Sequence, residues 1–255
     1  MLLVFDVGNS NIVMGIFKEE VLLHSWRLST DQNQTTDEYE IKVRALLDNA
    51  QVSFNDIEDV IISSVVPPLT PILEHMTLRC FSSAPIIVEP GIKTGLPILY
   101  DNPREVGADR IVNAVGGIAL YGYPLIIIDF GTATTFCVID EAGRWIGGAI
   151  SPGVGISAEA LFQRASRLPR IELVKPGQVI GRNTVAGMQS GIIYGYVGLV
   201  DGIVNRIKAE TGMEYKVVAT GGLAEMIAEI SETIDAVDDN LTLVGLRLIH
   251  DRNKS

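Results

Sequence analysis

Apolar residues near the start of the chain fall in short runs, Leu2 to Asp6, Ile12 to Phe17 and Val21 to Leu28, separated by polar turns. Runs of this length bounded by Gly, Asn and Ser predict three successive strands. The period then changes. Over Thr36 to Ala50 the apolar positions Ile41, Val43, Leu46 and Leu47 take helical spacing behind an acidic start at Asp37 and Glu38. Val60 to Val65 reads as a buried strand ending before Pro67-Pro68, Leu69 to Cys80 as a helix and Ile86 to Val88 as a short strand. After a helix over Asp109 to Tyr121, weakened by Gly116-Gly117, the order repeats with strands at Leu125 to Asp129, Thr135 to Ile139 and Trp145 to Ile150, then helices and a strand at Lys216 to Ala219. A long helical pattern, Val185 to Thr211, stops at Gly212. The expectation is an α/β protein of two related halves, 1–122 and 123–255, each a mixed sheet flanked by helices, with the boundary near Gly122 to Pro124.

Each half opens on the same turn. The first strand runs into Asp6-Val7-Gly8-Asn9-Ser10-Asn11 and its counterpart into Asp129-Phe130-Gly131-Thr132-Ala133-Thr134-Thr135. A strand-end aspartate can hold hydrated Mg2+, which prefers oxygen ligands and keeps several waters. The glycines let the backbone bend so that amide N–H groups face an anion, and the Asn, Ser and Thr residues add donors without charge. D-x-G turns are also ordinary hairpin loops. Their pairing at the heads of both halves favours two phosphate-facing turns on a shared cleft.

The formal charge of −11 argues against a protein that holds nucleic acid through its backbone phosphates. No apolar run approaches the roughly 20 residues of a membrane span, and Met1 leads straight into the first strand without an export signal. Cys80 and Cys137 stand apart, and His24, His75 and His250 show no ligand spacing, so neither a disulfide framework nor a zinc site is expected. A cytoplasmic protein is the reading these features favour.

Three further features bear on chemistry. Gly107-Ala108-Asp109-Arg110 sets a carboxylate beside a guanidinium just past a glycine. Asp109 could aim an attacking hydroxyl and accept its proton, and Arg110 could clamp a substrate carboxylate with two parallel N–H bonds; the plain alternative is a helix cap and a solvated first-turn residue. Gly187, Gly191 and Gly195, four residues apart on the long helix, point to close packing on the sheet or to a subunit interface. Gly153-Val154-Gly155-Ile156-Ser157-Ala158 fits a dinucleotide fingerprint, but it would follow the third strand of a meander instead of the first strand of a βαβ unit.

Together these residues resemble the type III pantothenate kinases. The resemblance rests on D-V-G-N-S-N at Asp6 to Asn11, Y-D-N-P at Tyr100 to Pro103, G-A-D-R at Gly107 to Arg110, D-F-G-T-A-T-T at Asp129 to Thr135 and G-R-N-T at Gly181 to Thr184. It implies two actin-like (ribonuclease H-like) lobes, each a mixed five-stranded sheet, and transfer of phosphate from ATP with Mg2+ to pantothenate. By position it implies that Asp6, Val7, Gly8, Asn9, Ser10, Asn11, Ile12 and Val13 form the ATP phosphate loop, with Thr132 touching phosphate from the other lobe. Asp109 would be the proton acceptor, with Tyr100, Gly107, Ala108 and Arg110 around pantothenate. Asp129 would hold a monovalent cation, K+ or NH4+. Thr184, whose plain reading is the N-cap of the long helix, would reach substrate in the partner's site of a homodimer. Gly221-Gly222 resembles an adenosine-side glycine pair, although Gly-Gly after a strand is also a routine turn. Other readings of the same residues are a kinase or phosphohydrolase acting on a different metabolite, and a nonenzymatic accessory protein that kept the fold.

Overall fold

The computed structural model describes residues 1–81 and 83–254. The chain forms two compact units. The first comprises Met1–Leu96, Asn102–Gly116 and the chain from Leu241 on; the second comprises Pro97–Asp101 and Gly117–Asn240. The division is therefore not a single cut near residue 122. The C-terminal segment returns to the first unit because it carries that unit's missing cover, as its packing makes clear.

In the first unit, β1 (Leu2–Val7), β2 (Asn11–Lys18) and β3 (Val21–Ser29) form an antiparallel meander, and β4 (Asp59–Ser64) and β5 (Ile86–Ile87) extend it in parallel, giving the order β3-β2-β1-β4-β5. Side chains alternate between the faces. Leu3, Phe5, Val7, Val60 and Ile62 point to one face and pack with Tyr39, Val43 and Leu47 of α1 (Thr36–Asn49) and Leu73 and Met76 of α2 (Thr70–Phe81). The opposite face, with Val4, takes α7 (Leu241–Lys254), whose Leu243 would meet a side chain added at Gly15 at 3.0 Å. Asp6 shares the parity of Val4, so it lies on the α7 side.

α1 begins at Thr36, where the sequence places it. Thr35 is the cap: its hydroxyl accepts from the Glu38 N–H while Glu38 reaches back to the Thr35 N–H at 2.7 Å, a capping box. α3 (Ala108–Tyr121) forms despite its two glycines, and close packing explains both. A Cβ on Gly116 would sit 2.5 Å from the Leu241 carbonyl, and one on Gly245 of α7 2.0 Å from the Val112 carbonyl. The helices touch backbone to backbone, which only glycine permits.

The second unit repeats the topology. β6 (Leu125–Phe130), β7 (Ala133–Ile139) and β8 (Trp145–Pro152) form the meander, and β9 (Lys216–Thr220) and β10 (Ala236–Val237) add in parallel, so the order β10-β9-β6-β7-β8 mirrors the first sheet strand for strand. Ile126, Ile128, Phe136 and Val138 pack beneath α4 (Val154–Arg164), α5 (Thr184–Thr211) and α6 (Ala224–Ala228). The last turns of α3 lie on the other face, where Gly117 leaves room for Leu125 and Ile127. The Gly153 motif follows β8, an antiparallel edge strand, so it heads no βαβ unit.

On α5 the core side is Met188, Ile192, Ile193, Tyr196, Val197, Val200 and Val204. Gly187, Gly191 and Gly195 are on the outer side, and a Cβ at any of them would meet nothing within 4 Å. Close packing of these glycines on the sheet is thereby overturned: the sheet side needs large apolar residues to fill it, and the glycines face outward. Among the described residues no helix is long and apolar enough to cross a membrane.

Candidate active site

The first turn closes tightly. Val7 pairs with Ile12, and the Gly8 N–H donates to the Asn11 carbonyl at 2.9 Å. Gly8 does not take a left-handed φ; its hydrogen side chain matters for space, since a Cβ would come 3.1 Å from that carbonyl. Asn9, Ser10 and Asn11 are exposed at the tip. The second turn is shorter: Phe130 pairs with Thr134, and the Gly131 N–H donates to the Ala133 carbonyl at 3.1 Å, leaving Thr132 at the exposed tip.

The two aspartates occupy equivalent places. Asp6 is in register with Ser63 on parallel β4, and Asp129 with Thr220 on parallel β9. In-register residues on neighbouring strands project to the same face, so each carboxylate stands beside a buried hydroxyl residue, Ser63 at 0% and Thr220 at 3% exposure. The Ser63 hydroxyl is buried without a hydrogen-bond partner among the described residues. A buried donor left unmatched costs roughly 1–3 kcal/mol, so a group that accepts from it would be favoured there. Neither hydroxyl residue was visible as a site component from sequence, since only strand pairing brings it to its aspartate.

Asp6 is an oxygen donor at a strand end, and no cluster of three or more His, Cys, Asp or Glu suited to a metal occurs among the described residues. That donor set fits Mg2+, which is commonly bound by one or two carboxylates with water and phosphate oxygens making up the rest, better than a cation that needs an all-protein cage. Asp129 lies against Gly221, which has φ of +96°; a Cβ there would meet the Asp129 carboxylate at 2.8 Å and the Phe130 backbone at the same distance. Gly221 is thus explained by its packing on Asp129.

G-A-D-R opens α3 in the first unit, alongside the first turn. A Cβ on Gly107 would lie 3.8 Å from Val65, and the Val65 N–H donates to the Val7 carbonyl at 3.0 Å. The Asp109 carboxylate accepts the Arg110 backbone N–H at 2.7 Å and sits so close to Gly107 that a side chain there would collide with it at 2.5 Å. Burial pushes the Asp109 carboxyl above its usual range, and the Arg110 N–H and charge oppose that only in part. The carboxylate is therefore a better proton acceptor than a solvated one. Arg110 is 7% exposed, so it is a buried guanidinium and not a solvated first-turn residue.

Of the other predicted residues, Ile12 is buried and Val13 half-buried on β2. Tyr100 is half-buried in the second unit, one residue beyond Leu99, whose N–H donates to the Trp145 carbonyl at 2.8 Å. Thr184 is the exposed first residue of α5, and the cap is Asn183, whose side chain accepts from the Ala186 N–H at 2.9 Å. The N-cap reading of Thr184 is corrected accordingly: the extended residue before the helix holds the capping position, and Thr184 already has helical geometry.

Two like sheets, each with a parallel pair beside a meander and an aspartate turn at its head, define the actin-like ATPase and sugar kinase fold. Among solved structures, a Campylobacter jejuni protein described as of a Baf family of transcriptional activators superposes with a TM-score of 0.62 at 18% identity, covering 99% of this chain and 98% of that one. MreB 5 of Spiroplasma citri, bound to AMPPNP, gives a TM-score of 0.52 at 11% identity over 99% and 96%. At these identities the likeness concerns the fold.

The family follows from the sequence comparisons. The family model for type III pantothenate kinase matches residues 2–206, and a type III pantothenate kinase of Exiguobacterium is 62% identical over 100% of both chains. The chain belongs to the type III pantothenate kinase family.

Proposed function

We propose that the protein catalyses ATP + pantothenate → ADP + 4′-phosphopantothenate, the first step of coenzyme A biosynthesis, in the cytoplasm. The observation that carries this reading is the 62% identity to a type III pantothenate kinase over the full length of both chains, with G-A-D-R set beside the first aspartate turn.

Asp6 to Val13 bind the ATP phosphates, with the exposed tip of the turn as the contact, and Thr132 supplies a hydroxyl to phosphate from the second unit. Bound Mg2+ offsets the phosphate charge, and Asp6 is the residue that would hold it. Gly107, Ala108 and Tyr100 are the residues that line the pantothenate pocket, and Arg110 clamps the pantothenate carboxylate. Asp109 aims the primary hydroxyl at the γ-phosphorus. As the new O–P bond forms, the bond from phosphorus to the β,γ-bridging oxygen breaks, ADP leaves with that electron pair, and the hydroxyl proton passes to Asp109 and on to solvent. Asp129 is the residue that would hold K+ or NH4+ through its carboxylate oxygen.

A homodimer completes the site, with Thr184 of one copy reaching the other. Two exposed features of the second unit support a second copy as the occupant: the bare glycine stripe of α5, and exposed apolar residues in or near it such as Val185 at 41% and Ile180 at 80%. Apolar surface of this kind marks contact faces.

Asp109→Asn tests the mechanism. It preserves size and removes the proton acceptor, so kcat should fall by about 10²–10⁴ with pantothenate binding retained. Near-normal kcat would remove Asp109 from the proton-transfer role.

A further inference from the structure

Thr30, just beyond β3, makes two contacts to the first turn. Its hydroxyl donates to the Gly8 carbonyl at 2.6 Å and its backbone N–H to the Ser10 carbonyl at 3.1 Å. One residue thus engages two carbonyls of a turn whose proposed ligand is an anion. A carbonyl oxygen left facing phosphate would repel it. In a trans peptide the N–H points opposite to the preceding C=O, so fixing the Gly8 carbonyl toward Thr30 turns the Asn9 N–H away from Thr30, toward the open side of the turn.

Thr30 is itself braced from the core. Tyr39, 1% exposed within the α1 side of the sheet, donates its hydroxyl to the Asp31 carbonyl at 2.9 Å and accepts the Asp31 N–H at 3.4 Å. Four residues further on, the Thr35–Glu38 capping box fixes the start of α1. The segment from Thr30 to Thr35 therefore links the helix to the phosphate turn by hydrogen bonds at both ends.

We infer that Thr30 is a positioning residue for nucleotide phosphate, holding the Gly8 and Ser10 carbonyls aside so that the turn presents N–H groups to the anion. This rests on the phosphate-turn reading given above. Thr30→Val keeps the shape and removes the hydroxyl donor; Thr30→Ser keeps the donor. Mg-ADP affinity by calorimetry, and the KM values for MgATP and pantothenate, distinguish a local role from a general one. Thr30→Val should weaken Mg-ADP and raise the MgATP KM by about tenfold, the scale of one lost hydrogen bond, with the pantothenate KM changed less than about twofold. Thr30→Ser should recover most of the loss. Wild-type nucleotide affinity in Thr30→Val, or a loss that Thr30→Ser fails to recover, would overturn the inference. Asp6→Asn, run alongside, separates the two claims. If it too leaves Mg-ADP affinity intact, the phosphate-turn reading fails; if it abolishes binding while Thr30→Val does not, only the role of Thr30 fails. Should Thr30→Val not fold, Tyr39→Phe, which removes the brace on Asp31, must show the same selective rise in MgATP KM for the inference to stand.

Discussion

At the scale of single residues, the proposed chemistry depends on a carboxylate kept from water. Burial raises the Asp109 carboxyl, so the base form is lost at a higher pH than for an exposed aspartate. The acid limb of kcat/KM should accordingly lie above the range of an ordinary aspartate near 4; a limb at that ordinary value would contradict the account. The sign for stability is the reverse of a salt-bridged acid. With its folded value above its unfolded value, Asp109 favours the folded state fully at pH below the unfolded value, and that contribution is lost as pH rises through the folded one. Asp109→Asn should thus melt higher than the parent at neutral pH, by about 2–4 °C per kcal/mol recovered, with the gap closing as the pH approaches 4. The identity of Asp109 as a candidate base was legible from its neighbours Gly107 and Arg110. Its raised pKa was not, because it comes from the burial of the carboxyl in the folded chain. Ser63, Thr220 and Thr30 were illegible for a related reason: each reaches its aspartate or turn only through strand pairing or a loop contact distant in sequence.

Secondary-structure elements were read best where one face is buried and the other is not. β1 to β9 stood out as short apolar runs, β5 among them as the run from Ile86 to Val88, whereas β10, two residues long, carries too few positions to form a pattern. α1 starts at Thr36 as predicted, but the apolar spacing marks only its packed face, while its start is fixed by the capping box of Thr35 and Glu38, which are polar. The glycines of α3 weakened a helix on propensity alone, and the structure shows what outweighs that cost of about 1 kcal/mol each. They admit α7 at backbone contact, so Gly245→Ala should be far worse than a usual surface change. Its Cβ would fall 2.0 Å from the Val112 carbonyl, inside any tolerated contact, and overpacking of this kind costs typically about 1–3 kcal/mol. Denaturant melts of Gly245→Ala beside Gly177→Ala, where a Cβ meets nothing within 4 Å, give the contrast directly. Equal stability of the two variants would mean that α3 and α7 do not meet as described.

For the whole molecule, the duplicated topology was visible in the repeat of the aspartate turns, but the chain does not divide where the repeat does. α7 closes the first unit with residues from the end of the sequence, a long-range contact that no local pattern announces. The bare glycine face of α5 was likewise visible as a stripe while its direction was not, since only the packing of Ile193, Val200 and Val204 shows which side is inward. Gly191→Arg should leave the fold intact, because nothing lies within 4 Å, and abolish dimerisation and turnover together; sedimentation of a monomer with full activity would contradict the dimeric site. The most direct test of the central claim is ADP release by the purified protein with Mg-ATP, with and without pantothenate, in potassium and then in sodium buffer. The account predicts release that requires pantothenate and falls in sodium; release independent of pantothenate, or none in either buffer, would contradict it.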